Sequence, residues 1–217
     1  IAPLPPEKTA IADYVVDILP SLDDRFEVNV VVFQENANLP KGLHRTYLRS
    51  QDWFLKSALE MDFIVYQVGN SVFHEPVFEL INMFPGMVVL HDFYLSDLLA
   101  HLEYELPEKQ QWHQALFRSH GYSALIEYYQ RDHDHSDQEN KLALINKKYP
   151  CNYQLFKQAT KIILHSEYSK GLAVEWYGEK ANEKCSVIPL PRSTRKYFEK
   201  QKSREELGIA DDVLLVT

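Results

Sequence analysis

The sequence predicts an α/β fold built on a doubly wound parallel sheet. Along its 217 residues, short apolar runs of strand length alternate with longer stretches of helical period. Two of those runs stop abruptly at a histidine and a polar residue: Val88-Val89-Leu90-His91-Asp92 and Ile162-Ile163-Leu164-His165-Ser166. Strands buried on both faces read as continuous apolar runs, and open α/β sheets bind ligands at the carboxyl edge of their strands. Both histidines are therefore expected at one edge of one sheet.

Each element follows from its pattern. Ile1-Ala2-Pro3 has the character of a strand tail, and Leu4 to Ala10, with Pro5-Pro6, reads as a loop. Ile11, Val15, Ile18, Leu19 and Leu22 recur at helical spacing, with Pro20 placed to distort the helix end. Glu27 to Phe33 alternates and then runs apolar, as a strand does. Residues 52–60 read as helix, and Asp62 to Val68 as a strand ended by Gly69-Asn70-Ser71. Phe73 to Met83 is helical until Pro85-Gly86 breaks it, and Val88 to Leu90 is the next strand. Residues 94–149 are mostly helical, with an apolar stripe at Leu95, Leu98, Leu99 and Leu102. This stretch is too long for one crossover, so two or three helices are expected to bulge from the sheet. Arg131 to Asp137 lacks periodicity and reads as a surface loop. Asn152 to Thr160 is expected as helix, Lys161 to Leu164 as strand, Glu167 to Tyr177 as helix, and Val187 to Pro191 as the last strand, closed by prolines. Residues 192–212 read as a charged connector with a short helix ending at Gly208, and Val213 to Thr217 as the start of another strand. Both ends therefore read as those of a piece of a longer protein.

Composition narrows the function. A formal net charge of -8 and a pI of about 5.6 argue against a nucleic-acid-binding surface, which would need a basic stripe. Two cysteines, Cys151 and Cys185, are too few for a disulfide framework and point to a reducing compartment. No apolar run approaches the roughly 20 residues of a membrane span. A nucleophile elbow, a Walker loop and a Gly-x-Gly-x-x-Gly fingerprint are all absent, which argues against a hydrolase, an NTPase or a nicotinamide enzyme.

Five motifs in order carry a resemblance. Pro3-Leu4-Pro5-Pro6-Glu7-Lys8-Thr9-Ala10-Ile11-Ala12-Asp13-Tyr14 resembles the first loop of retaining, family-4-type glycosyltransferases. Tyr66-Gln67-Val68-Gly69-Asn70, Leu90-His91-Asp92-Phe93, Leu164-His165-Ser166-Glu167-Tyr168-Ser169 and Val187-Ile188-Pro189-Leu190-Pro191 follow in the family's order. Leu207-Gly208-Ile209 with Val213 to Val216 resembles the opening of a second domain. The resemblance implies the N-terminal half of a GT-B fold. Residues 1–191 would form a Rossmann-like, acceptor-side domain with helices on both faces of its sheet, and 192–217 a connector to a truncated C-terminal domain. It implies transfer of a sugar, with retention, from a nucleotide-diphosphate donor (UDP-, GDP- or ADP-sugar) to a hydroxyl of a glycan, a lipid-linked or a small-molecule acceptor. Neither a cofactor nor a metal is implied, and the C-terminal domain would carry most donor contacts. The location implied is cytoplasmic, with a peripheral seat on the inner face of the membrane left open.

The resemblance also assigns roles. His91 would lie by the donor sugar, where a neutral imidazole both donates to and accepts from hydroxyls. Asp92 would bind acceptor hydroxyls or hold a loop, and it could equally cap the following helix. Asn70 reads either as an amide for the acceptor or as a plain turn residue. Thr9, Ala10 and Asp13 open a helix whose N-terminus favours a diphosphate, and Thr9 reads equally as its cap; Ala10 stands where the family has glycine. His165 is expected to face the cleft, beside Ser166 and Glu167 as a helix start. His133 and His135 lack the spacing of a zinc motif and read as a solvated loop. Lys41, Arg45 and Arg49 read as scattered surface cations, with acceptor phosphates as the other use. Phe93, Tyr94, Trp112, Phe117, Tyr122, Tyr128 and Tyr129 read as core or as a lipid-facing surface.

Overall fold

A computed structural model describes residues 1–107, 110–130, 138–191, 200–210 and 213. The predicted loop at Arg131 to Asp137, with His133 and His135, residues 214–217 of the predicted last strand and much of the 192–212 connector lie outside the described residues.

The fold is α/β, with parallel strands flanked by helices. β1 (Val28–Val32) pairs in parallel with β2 (Thr46–Ser50), and β3 (Val65–Val68), β4 (Met87–Leu90), β5 (Lys161–Leu164) and β6 (Cys185–Val187) form a parallel sheet in that order. Gln67, Val89, Ile163 and Ser186 stand in one row across the second sheet. The first two residues join the sheets. The amine of Ile1 donates to the carbonyl of Val65 at 2.7 Å, and the amide of Gln67 donates to the carbonyl of Ile1 at 3.0 Å. On the other side the amide of Ala2 donates to the carbonyl of Val31 at 3.1 Å. The spatial order is therefore β2, β1, the Ile1–Ala2 segment, β3, β4, β5, β6. Counting that segment as a strand, the chain winds outward in one direction and then reverses between it and β3. This is the order of a doubly wound sheet, and the reversal opens a crevice at the carboxyl ends of the strands on either side.

Alternation along the strands explains the two helical layers. Val30 and Val32 pack with Leu4 and with Ile11, Val15 and Leu19 of α1 (Ala10–Asp23), whereas Val31 between them packs with Phe54 of α2 (Gln51–Ser57). Successive strand side chains point to opposite faces, so a continuous apolar run needs cover on both. On the Val31 face, Tyr66, Val68, Val88, Leu90, Ile162 and Leu164 share one core with α3 (Glu75–Met83), α7 (Tyr153–Gln158) and α8 (Glu167–Tyr177). A separate helical layer holds α4 (Ser96–Glu105), α5 (Gln111–Gln130) and α6 (Gln138–Lys148), packed around Leu98, Leu99, Leu102, Trp112, Leu116 and Ile145. Among the described residues, three helices thus occupy the 94–149 stretch, with α7 following before β5, and the leucine stripe at 95–102 faces inward as its period requires.

Several boundaries differ from the sequence reading. β2 comes from a stretch of no marked apolarity, Thr46-Tyr47-Leu48-Arg49-Ser50. The last strand is Cys185–Val187, following α9 (Glu179–Lys184), rather than Val187 to Pro191. Pro189 and Pro191 have no N–H to give a ladder, so pairing ends after the amide of Ile188 reaches the carbonyl of Leu164. The helix at Phe73 to Met83 begins as a 3-10 turn, Val72–His74, before α3, and residues 52–60 end in another, Ala58–Glu60.

Candidate functional site at the strand reversal

The predicted residues converge where the strand order reverses. β3 delivers Gly69 and Asn70, β4 delivers His91 and Asp92, β5 delivers His165, and α1 arrives with Thr9 and Tyr14. The close approach depends on Gly69: a Cβ built there would sit 2.4 Å from Ile11 Cδ1, 3.0 Å from Asp92 Oδ2 and 3.3 Å from His74 Nε2. A side chain at 69 would have to displace Ile11, because the first turn of α1 packs on the β3 turn.

His91 lies in a chain of ring contacts. Its Nε2 is 2.8 Å from the carboxamide of Gln67, and its Nδ1 is 3.2 Å from His165 Nε2. His165 Nδ1 is 2.8 Å from the carbonyl of Ile188, which can only accept, so that nitrogen carries the proton. Gln67 presents its Oε1, which can only accept, so His91 Nε2 donates to it and His91 Nδ1 faces His165 Nε2. Tyr14 closes over the pair, 4.7 Å from the His91 ring edge-on and 5.6 Å from that of His165. Burial holds the His91 imidazole down at about 3, with His165 and His74 nearby adding to the effect. His91 is thus held as the neutral imidazole, with a single N–H, near neutral pH. Both its nitrogens are engaged inside the protein, so a ligand hydroxyl reaches one of them only by displacing Gln67 or His165.

Asn70 is similarly committed. Its amide donates to Asp92 Oδ2 at 2.8 Å, its Nδ2 donates to Asp97 Oδ2 at 3.2 Å, and its Oδ1 accepts from the amide of Leu98 at 2.9 Å. Asp97 also accepts from Asn146 Nδ2 at 2.8 Å, and Trp112 Nε1 donates to Asn146 Oδ1 at 3.0 Å. The turn after β3 is thereby tied to α4, α5 and α6. Asp92 holds this turn and does not cap α4, whose first residue has no side-chain cap.

Thr9 is the cap of α1, its hydroxyl accepting from the amide of Ala12 at 3.0 Å, while Ala10 and Asp13 are exposed in the first turn. Ser166 caps α8 by accepting from the amide of Ser169 at 3.1 Å. Arg49 lies away from this edge, its Nε donating to Asn29 Oδ1 at 2.8 Å and its guanidinium 4.6 Å from the Trp53 ring. Lys41 and Arg45 are exposed near β2.

Three participants escaped the sequence reading: Gln67, Tyr14 and His74. His74 is buried at 1 % exposure with Nε2 unpartnered among the described residues, and burial pushes its imidazole down to about 4. The one available signal was polarity out of place, a glutamine inside the apolar run Val65-Tyr66-Gln67-Val68. None of the residues gathered here is Lys or Arg; the charges at the mouth are Asp92 and Asp97. The arrangement suits hydroxyl and amide recognition and lacks the cations that would hold a diphosphate. Among the described residues no cluster of three or more His, Cys, Asp or Glu is disposed to hold a metal ion, and no helix is long and apolar enough to cross a membrane.

No family model matches the chain, and no curated protein or solved structure is detectably similar to it.

Proposed function

We propose that this chain is the acceptor-side domain of a retaining glycosyltransferase, which moves a sugar from a nucleotide-diphosphate donor to an acceptor hydroxyl. The observation that carries the reading is the convergence of Thr9, Gly69, Asn70, His91, Asp92 and His165 on the crevice where the strand order reverses. The chemistry of those groups fits. Front-face displacement lets the leaving phosphate take the incoming proton, so the protein positions reactants and stabilises separating charge. That mechanism asks for no titrating base, in keeping with an imidazole held neutral. It also differs from glycoside hydrolysis, which needs two carboxylates across the bond. The missing cations belong to a second domain that closes on this edge. The donor is a UDP-, GDP- or ADP-sugar, and the acceptor a glycan, a lipid-linked or a small-molecule hydroxyl. The site of action is cytoplasmic, at or near the inner membrane face.

A second reading has its own support. The side chains of His91 and Asn70 already bond within the protein, as in a binding module without catalysis, and fold alone does not fix function. Calorimetric titration of the polypeptide that the gene encodes in full separates the two. The transferase reading expects saturable binding of one donor class, weakened about tenfold or more in His91→Ala. It also expects the 217-residue chain alone to show no turnover. Absence of binding for all three donor classes favours the module, and turnover by the chain alone contradicts the division of labour.

A further inference from the structure

A second concave site lies in the helical layer, away from the strand reversal. Gly121, at φ 74°, kinks α5 and folds its two arms toward one another. Between them is a groove of about 420 Å³, walled by His113 and Phe117 from the first arm and by Tyr122, Leu125 and Tyr129 from the second, with Glu103 of α4 beside His113. That volume is within the range of small-molecule sites, about 300–1,000 Å³. Its aromatic walls are open: Phe117, Tyr122 and Tyr129 are 39 %, 71 % and 53 % exposed. The Phe117 and Tyr122 rings touch at 4.7 Å, and Tyr129 stacks on the imidazole of His113 at 6.0 Å.

The polar groups among the described residues are few. Glu103 accepts from the amide of His113 at 3.0 Å and from its ring Nδ1. This places a proton on Nδ1 and gives the carboxylate a partner. The carboxamides of Gln110 and Gln114 also line the groove, and among the described residues no Lys or Arg does. Without a cation the groove is poorly suited to phosphate or carboxylate. With its carboxylate already paired, it offers little to a cation.

We propose that the groove between the arms of α5 is a carbohydrate-binding site that takes a neutral pyranose ring. A pyranose presents an apolar C–H face, which the exposed tyrosine and phenylalanine faces can cover. Its rim of hydroxyls meets the imidazole of His113 and the carboxamide of Gln110, which can both donate and accept. The inference stands apart from the transferase reading, because the groove shares no residue with the strand-reversal site.

The test uses the full polypeptide with maltose, cellobiose, lactose and N,N′-diacetylchitobiose as probes, and adenosine and uridine as flat-ring controls. Binding is followed by saturation-transfer NMR and by amide shifts on α5. Expected is saturable binding of at least one disaccharide, with shifts centred on residues 113–129. Tyr122→Ala and Tyr129→Ala should each weaken it by about tenfold, with unchanged circular dichroism. Tyr47→Ala, on β2, and His91→Ala should leave it intact, so loss of donor binding in His91→Ala is scored separately. No saturable binding of any saccharide, equal binding in the tyrosine variants, or binding of nucleosides alone overturns the proposal.

Discussion

Gly69 sets the geometry of the crevice, because the space above it is already filled. Ile11 Cδ1 occupies part of it, and Ile11 is itself buried at 9 % exposure, so a rotamer change would press into the α1 core. Gly69→Ala is expected to cost about 1–3 kcal/mol by overpacking, read from urea unfolding. Ile11→Val removes the clashing methyl, so the double variant should lose less than the two single losses together. Unchanged stability in Gly69→Ala would contradict the contact. The buried imidazoles give a second prediction. Burial holds His74 and His120 at about 4 and His91 at about 3, against an unfolded value of 6.5. The unfolded chain therefore takes up these protons first as pH falls. The stabilisation is complete above about 6.5 and declines toward 4, by up to about 1.4 kcal/mol per pH unit for each ring and less for partly solvated ones. Urea midpoints should fall from pH 7 to pH 5, and flat midpoints would show that the rings are not held neutral. At this scale the caps at Thr9 and Ser166 and the strand-end positions of His91 and His165 were legible, since local spacing decides them. Gln67, Tyr14 and His74 were not, because each reaches the site through contacts made only once the sheet has formed.

Among the elements, the legible ones were those whose apolar period is unambiguous: α1, β1, β3, β4, β5, α8 and the leucine stripe of α4. β2 was missed because an edge strand of polar and aromatic residues lacks the apolar run that marks a central strand, and charge at an edge discourages pairing with other chains. β6 was placed too late because the prolines after it were read as part of the strand that they terminate. The link between the helical layer and the crevice was also invisible in sequence. Asn146 is buried at 5 % exposure, accepting from Trp112 and donating to Asp97, which in turn holds Asn70. Asn146→Ala leaves the indole N–H and one carboxylate oxygen without their partner. A loss of about 1–3 kcal/mol in urea unfolding is expected. Amide exchange should quicken in the turn at Gly69-Asn70 as well as in α4 and α5. Faster exchange confined to the helices would mean that the layer does not position the turn.

Across the whole molecule, the doubly wound order brings loops from distant parts of the chain to one edge. That is how Gly69, His91 and His165, distant in the chain, come to one edge. The parallel sheet was legible from alternation alone. The joining of the two sheets through Ile1 and Ala2 was not, since two residues carry no period. The proposal that this edge serves sugar transfer is open to one decisive test: nucleoside-diphosphate release by the full polypeptide, over UDP-, GDP- and ADP-sugars with candidate acceptors and a His91→Ala control. Release from one donor class, lost in the variant, is expected. Release from none, or release unchanged by His91→Ala, would contradict it.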